Sequence, residues 1–209
     1  MTRTGARAAV LDDVFVRMGF TRTPRPAAPR LPDLTTSIRT EILDLYRSLG
    51  GLAAEPQIRP GPWDLSYGDV VVELDEDFHF NRYRTLTLLA PFAATLPWAV
   101  DYRRHSTEQE HRSGTGGRRW TNPSAERMFG SADAEMVFLD VGAPRWKQRA
   151  LYDAVKDAAA ATGMVRLARL SVHDDVEGVR LEDYLRGRAA VTPEALFGFV
   201  AARSSAPLA

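Results

Sequence analysis

Apolar residues recur at helical spacing over residues 6–18, where Val10, Val14 and Met18 fall at i, i+4 and i+8. A second periodic run over 38–49 puts Ile38, Ile42, Leu45 and Leu49 on one face. It follows a candidate cap at Ser37 and stops at Gly50-Gly51. Glu41 lies beside that stripe. The period then drops to two. Over 63–75, two short apolar runs flank Gly68-Asp69, a Gly-first pair that suits a type II′ hairpin turn. With those residues at the centre, Tyr67 pairs with Val70 and Asp64 faces Glu73. Asp75 shares the face of Glu73.

Residues 83–104 read as helical, interrupted at Pro91 and Pro97. Residues 105–117 are polar and Gly-containing, which predicts a mobile loop. Residues 120–130 predict a turn and a short helix capped by Asn122 or Ser124. An apolar run over 135–141 predicts a strand. Pro144 opens a strong helix over 145–161, closed by Gly163. Residues 164–172 read as a strand, 181–188 as a helix, and Thr192-Pro193 starts a last helix over 194–203. The Pro- and Arg-rich segment 21–32 predicts an extended linker. The order of elements predicts an α/β fold with a small mixed central sheet flanked by helices. The expected organisation is an N-terminal helix and linker over 1–36, then one α/β domain over 37–209.

Composition narrows the function classes. At 209 residues the chain can bury a real core. The absence of cysteine excludes disulfides and thiolate metal sites. No apolar run approaches the roughly 18 residues of a membrane span. The N-terminal stretch carries charges where a signal peptide is apolar, so a cytoplasmic protein with no membrane partner is expected. The net charge is +0, so no global basic field advertises nucleic acid. Among 27 cationic residues only Lys147 and Lys156 are lysines. Arginine forks onto phosphate, although a GC-rich coding sequence produces the same skew.

The hairpin carries the strongest candidate chemistry. Directly opposed residues bring their Cβ atoms to about 5 Å. Asp64, Glu73 and Asp75 therefore converge, and their repulsion calls for a compensating charge. A hard divalent cation, Mg²⁺ or Mn²⁺, is the simplest one. The competing reading makes them solvent-facing acids behind a core face of Trp63, Leu65, Val70, Val72 and Leu74. Two further groups, His105 and His111 around Glu108 and Glu110, and Arg118-Arg119-Trp120, read as a solvated loop and a buried anchor.

The spacing of Pro62-Trp63-Asp64 and Glu73-Leu74-Asp75 resembles the PD-(D/E)XK nuclease superfamily. Asp75 stands where the motif lysine falls. Glu73-Leu74-Asp75 followed by His79 is similar to the very-short-patch-repair-like endonuclease branch, which also lacks the lysine. Gly163-Met164-Val165-Arg166-Leu167-Ala168-Arg169 resembles that branch's C-terminal strand. The resemblance implies a restriction-endonuclease-like core with a largely helical insertion at about 85–135. It implies Asp64, Glu73 and Asp75 as metal ligands, joined by Glu41, and His79 as a proton carrier. Arg82 or Arg84 would stand in electrostatically for the lysine. Gln148 and Tyr152 resemble the Gln-x-x-x-Tyr substrate motif of the exonuclease branches.

The expected function is therefore a Mg²⁺- or Mn²⁺-dependent endonuclease that hydrolyses phosphodiester bonds, with DNA as partner. A catalytically inactive nuclease-fold binding or regulatory module is the alternative, favoured by the missing lysine and zero net charge. A small-molecule metallohydrolase is the third. A homodimer or a partner protein is left open by the sequence.

Overall fold

The computed structural model describes residues 5–206. In chain order the first elements are α1 (Ala6–Arg17), α2 (Thr36–Ser48), β1 (Leu65–Tyr67), β2 (Val70–Asp75), α3 (Arg82–Thr87), α4 (Ala99–Glu108) and α5 (Pro123–Phe129). There follow α6 (Pro144–Ala161), β3 (Arg166–Ser171), β4 (Asp175–Val176), β5 (Val179–Arg180), α7 (Leu181–Leu185) and α8 (Pro193–Ala202). The described residues are thus mixed α/β, with a small mixed three-stranded sheet and eight α-helices. No helix among them is long and apolar enough to cross a membrane. The charged start of the chain, read above against a signal peptide, lies partly in residues 1–4, outside the described residues.

The chain groups into two compact units. One comprises the described parts of Met1–Ala27, Pro62–Glu76 and Gly163–Ala209; the other comprises Ala28–Gly61 and Asp77–Thr162. In the first unit the sheet order is β1-β2-β3. β1 and β2 are antiparallel, with Tyr67 opposite Val70 and Leu65 opposite Val72, as the turn residues predict. Gly68 has φ +55° while Asp69 keeps a negative φ, the signature of a type II′ turn. β2 and β3 run parallel, with Glu73 beside Arg169 and Asp75 beside Ser171. A parallel neighbour requires a long crossover, and here the whole of 77–162 intervenes.

One face of this sheet forms a core. Val72 and Leu74 of β2 join Ala168, Leu170 and Val172, and α1, α7 and α8 cover them with Leu11, Phe15, Leu181, Leu185, Leu196 and Val200. Period-two alternation then puts Val71, Glu73 and Asp75 on the other face, and that face is also buried. The short hairpin β4-β5 lacks the apolar alternation that would have revealed it in the sequence.

The second unit is built on helices. α2 buries Ile38, Ile42, Leu45 and Tyr46. Its cap is Thr35, whose Oγ1 accepts from the Ile38 N–H at 3.5 Å, rather than Ser37, which lies inside the first turn. Asn122 caps α5, accepting from the Ala125 N–H at 2.9 Å. Residues 105–117 are more ordered than predicted, because α4 runs on to Glu108 and one 3₁₀ turn, Glu110–Arg112, follows. The strand expected over 135–141 does not form. Asp133 Oδ2 accepts the N–H groups of Leu139, Asp140 and Gly142 at 2.9–3.0 Å, gathering the segment into a loop. Met136 takes φ +62°, which no strand tolerates. Phe138 of that loop stacks with Trp120 and Trp146.

Helix α6 begins at Pro144 and is buried along nearly its whole length. A histidine contact and a buried ion pair hold its acids, which are spaced four residues apart. Asp153 Oδ2 lies 2.8 Å from His79 Nδ1, and Asp157 Oδ2 lies 2.7 Å from Arg84.

Candidate functional site

Asp64 precedes β1 and Glu73 lies on β2, so the hairpin register sets them opposite one another. The two ends clasp reciprocally. Glu73 Oε1 accepts from the Asp64 backbone N–H at 3.1 Å, and Asp64 Oδ2 accepts from the Leu74 N–H at 3.0 Å. Each carboxylate thus has one oxygen oriented by main chain, while an ionised carboxylate offers about four lone-pair sites in all. Glu73 is buried at 3% exposure and Asp64 is exposed, so the pair runs from the interior to the surface. The solvent-facing alternative fails for Glu73 and Asp75, both of which are buried.

Asp75 shares the face of Glu73, and one of its oxygens is engaged by an arginine of β3. Its Oδ2 is held at 2.7 Å by the Arg169 guanidinium, and both side chains are at 0% exposure. A buried carboxylate so paired has its charge answered within the protein. The three acids therefore divide. Asp75 pairs with Arg169, and Asp64 and Glu73 face one another as two hard-oxygen donors across one hairpin. Arg169 stands beside Glu73 on the β3 side, and Asp64 stands on the β1 side.

Other residues singled out by the sequence fall in the second unit, and several change role. Arg84 is fully buried and tied to Asp157, so it cannot clamp a substrate. Glu41 Oε2 accepts from the Phe92 N–H at 3.2 Å, which commits it to the start of the 3₁₀ turn Pro91–Thr95. Gln148 is 2% exposed. Its amide donates to Ser124 Oγ and Met128 Sδ, and its carbonyl accepts from Arg145 at 2.7 Å. It is thus structural rather than a direct substrate contact. Tyr152 donates to Met128 Sδ at 3.8 Å, and burial holds its phenol above the usual tyrosine range. Arg82 remains largely exposed, doubly bonded to Glu110 and stacked 3.6 Å over the Phe138 ring. His79 is ordered by Asp153, a nearly buried acid that the sequence reading missed. The i,i+4 pair Asp153 and Asp157 on an apolar helix was the available signal.

A family model matches residues 44–187. The chain belongs to the DUF7255 family, a family of unknown function. The matched stretch contains Asp64, Glu73, Asp75, His79, Asp153 and Arg169, and it leaves out Glu41. No curated protein and no solved structure matches the chain.

Proposed function

We propose that this protein is a metal-dependent phosphodiesterase acting on nucleic acid, with DNA the expected substrate, and that Asp64 and Glu73 hold the ion. The observation that carries the proposal is the reciprocal clasp that fixes these two carboxylates across the hairpin end. The topology supports a nuclease-type core. An acid-bearing antiparallel hairpin is followed by a helical crossover, and the returning strand lies parallel to the hairpin's second strand. The donor set suits Mg²⁺ or Mn²⁺, which prefer carboxylate oxygen. Such an ion neutralises phosphate charge and lowers the pKa of an attacking water.

The chain's own residues supply the rest. The Leu74 N–H keeps the Asp64 carboxylate turned toward Glu73. Glu73 is largely desolvated, which strengthens its attraction for a cation. Asp153 orients the His79 ring through Nδ1, and an imidazole so held is the proposed proton carrier. Replacing His79 by alanine is expected to lower turnover about 100-fold while leaving Mn²⁺ affinity at the parent value. Plasmid cleavage and calorimetry on the same preparation check this, and an equal loss in both would make His79 a structural residue.

The proposal is tested with plasmid, single-stranded DNA, RNA and a small phosphodiester, each with Mg²⁺ or EDTA. Metal-dependent cleavage of DNA supports it. Cleavage of the small ester alone assigns a small-molecule metallohydrolase instead. The Arg169–Asp75 pair favours a second reading. A guanidinium stays protonated and cannot act as the base that a motif lysine supplies, so an inactive module on the same fold would keep this pair for stability. Absence of both cleavage and metal binding would select that reading.

A further inference from the structure

The start of α6 carries a charge problem that its own side chains do not solve. Arg145, Lys147 and Arg149 lie within its first six residues, and its first turn contains no acid. The N-terminus of a helix already carries roughly half a positive charge, so cations there repel it and one another. Arg145 and Arg149 sit at i,i+4, both on the ring of Phe78, with guanidinium carbons 5.5 and 5.2 Å from its centroid. Neither makes an ion pair among the described residues. Arg149 Nε is buried there without a hydrogen-bond partner. Burial, and then the neighbouring Arg149, push the Arg145 guanidinium below the ordinary arginine value; Tyr152 and Asp153 offset this in part. Lys147 is likewise pushed down by burial.

We propose that Arg145 and Arg149 form a phosphate-binding site at the start of α6. Gln148 positions one of the two forks, since its carbonyl holds Arg145 Nη1 at 2.7 Å. The Phe78 ring carries both planes, and the helix N-terminus adds its own positive potential. Two guanidinium forks side by side suit the oxygens of a phosphate better than a single carboxylate. This site stands on second-unit residues alone, and it holds whether or not Asp64 and Glu73 take a metal.

The test is fluorescence anisotropy on short single-stranded DNA, with and without a 5′-phosphate, in EDTA so that no metal contributes. Pyrophosphate serves as competitor. The expected result is binding displaced by pyrophosphate. Arg145→Ala/Arg149→Ala should weaken it about tenfold or more and reduce the slope of log affinity against log salt by about 1 to 2. Arg149→Lys, which keeps charge but loses the fork, should keep the slope and lose part of the affinity. Arg47→Ala, an exposed change elsewhere in the second unit, should behave as the parent. A loss confined to 5′-phosphorylated DNA assigns a terminal phosphate, and an equal loss for both strands assigns the backbone. Absence of binding by the parent overturns the proposal. So does a double variant that melts like the parent and keeps its affinity and salt slope.

Discussion

Replacing Glu73 by glutamine is expected to abolish metal-dependent cleavage and to lower Mn²⁺ affinity by about 100-fold or more, beyond the loss usual for an outer-shell partner. Glutamine keeps the shape and a carbonyl oxygen for the Asp64 N–H, which bonds Glu73 at 3.1 Å. The change therefore removes charge and leaves the clasp. A second consequence follows from the same geometry. Like charges directly across a strand pair destabilise it, so the variant in EDTA should melt no lower than the parent. The parent should gain stability with added Mn²⁺ as a ligand that binds only the folded state requires, and the variant should not. Thermal melts with and without Mn²⁺, run beside calorimetry, check all three. Full activity in the variant, or an unchanged Mn²⁺ response, removes Glu73 from the site.

Replacing Arg169 by methionine is expected to destabilise the protein by about 3–5 kcal/mol, the usual cost of leaving one partner of a buried ion pair alone. Both side chains are at 0% exposure and 2.7 Å apart. The Asp75 carboxylate would lose its guanidinium in the interior, beside Glu73, so like charge adds to the desolvation penalty. Converting Asp75 to leucine in the same chain should recover most of the loss, because an apolar pair of similar volume is often as stable as the ions it replaces. Urea unfolding of the parent, the single and the double variants measures this. A single variant with the parent midpoint would mean that Arg169 does not answer the Asp75 charge.

The hairpin register was legible because its determinants are local. Gly68 accepts the positive φ of a type II′ turn, and two residues of loop leave one pairing for Tyr67 and Val70. α6 was legible from Pro144 and its apolar pattern, and β3 from its alternation. The neighbour of Asp75 was not legible, because Arg169 is 94 positions away and only the parallel pairing of β2 with β3 brings them together. The same holds for Arg84, whose place in the core depends on Asp157 of a distant helix. The failed strand at 135–141 has a different cause. Its apolar run was real, but Asp133 offers the backbone donors of that segment another acceptor. The cations at the start of α6 were visible in the sequence, and their meaning depended on knowing that Arg145 and Arg149 share the ring of Phe78 and make no ion pair among the described residues.

The central claim is that Asp64 and Glu73 grip one cation between them. Anomalous diffraction from crystals soaked in Mn²⁺ tests it most directly. The account predicts one strong peak about 2.0–2.3 Å from a carboxylate oxygen of each residue, within the range of hard-cation oxygen ligation. A map with no peak at the hairpin end, or with the ion on other residues and none on Asp64 and Glu73, would contradict it.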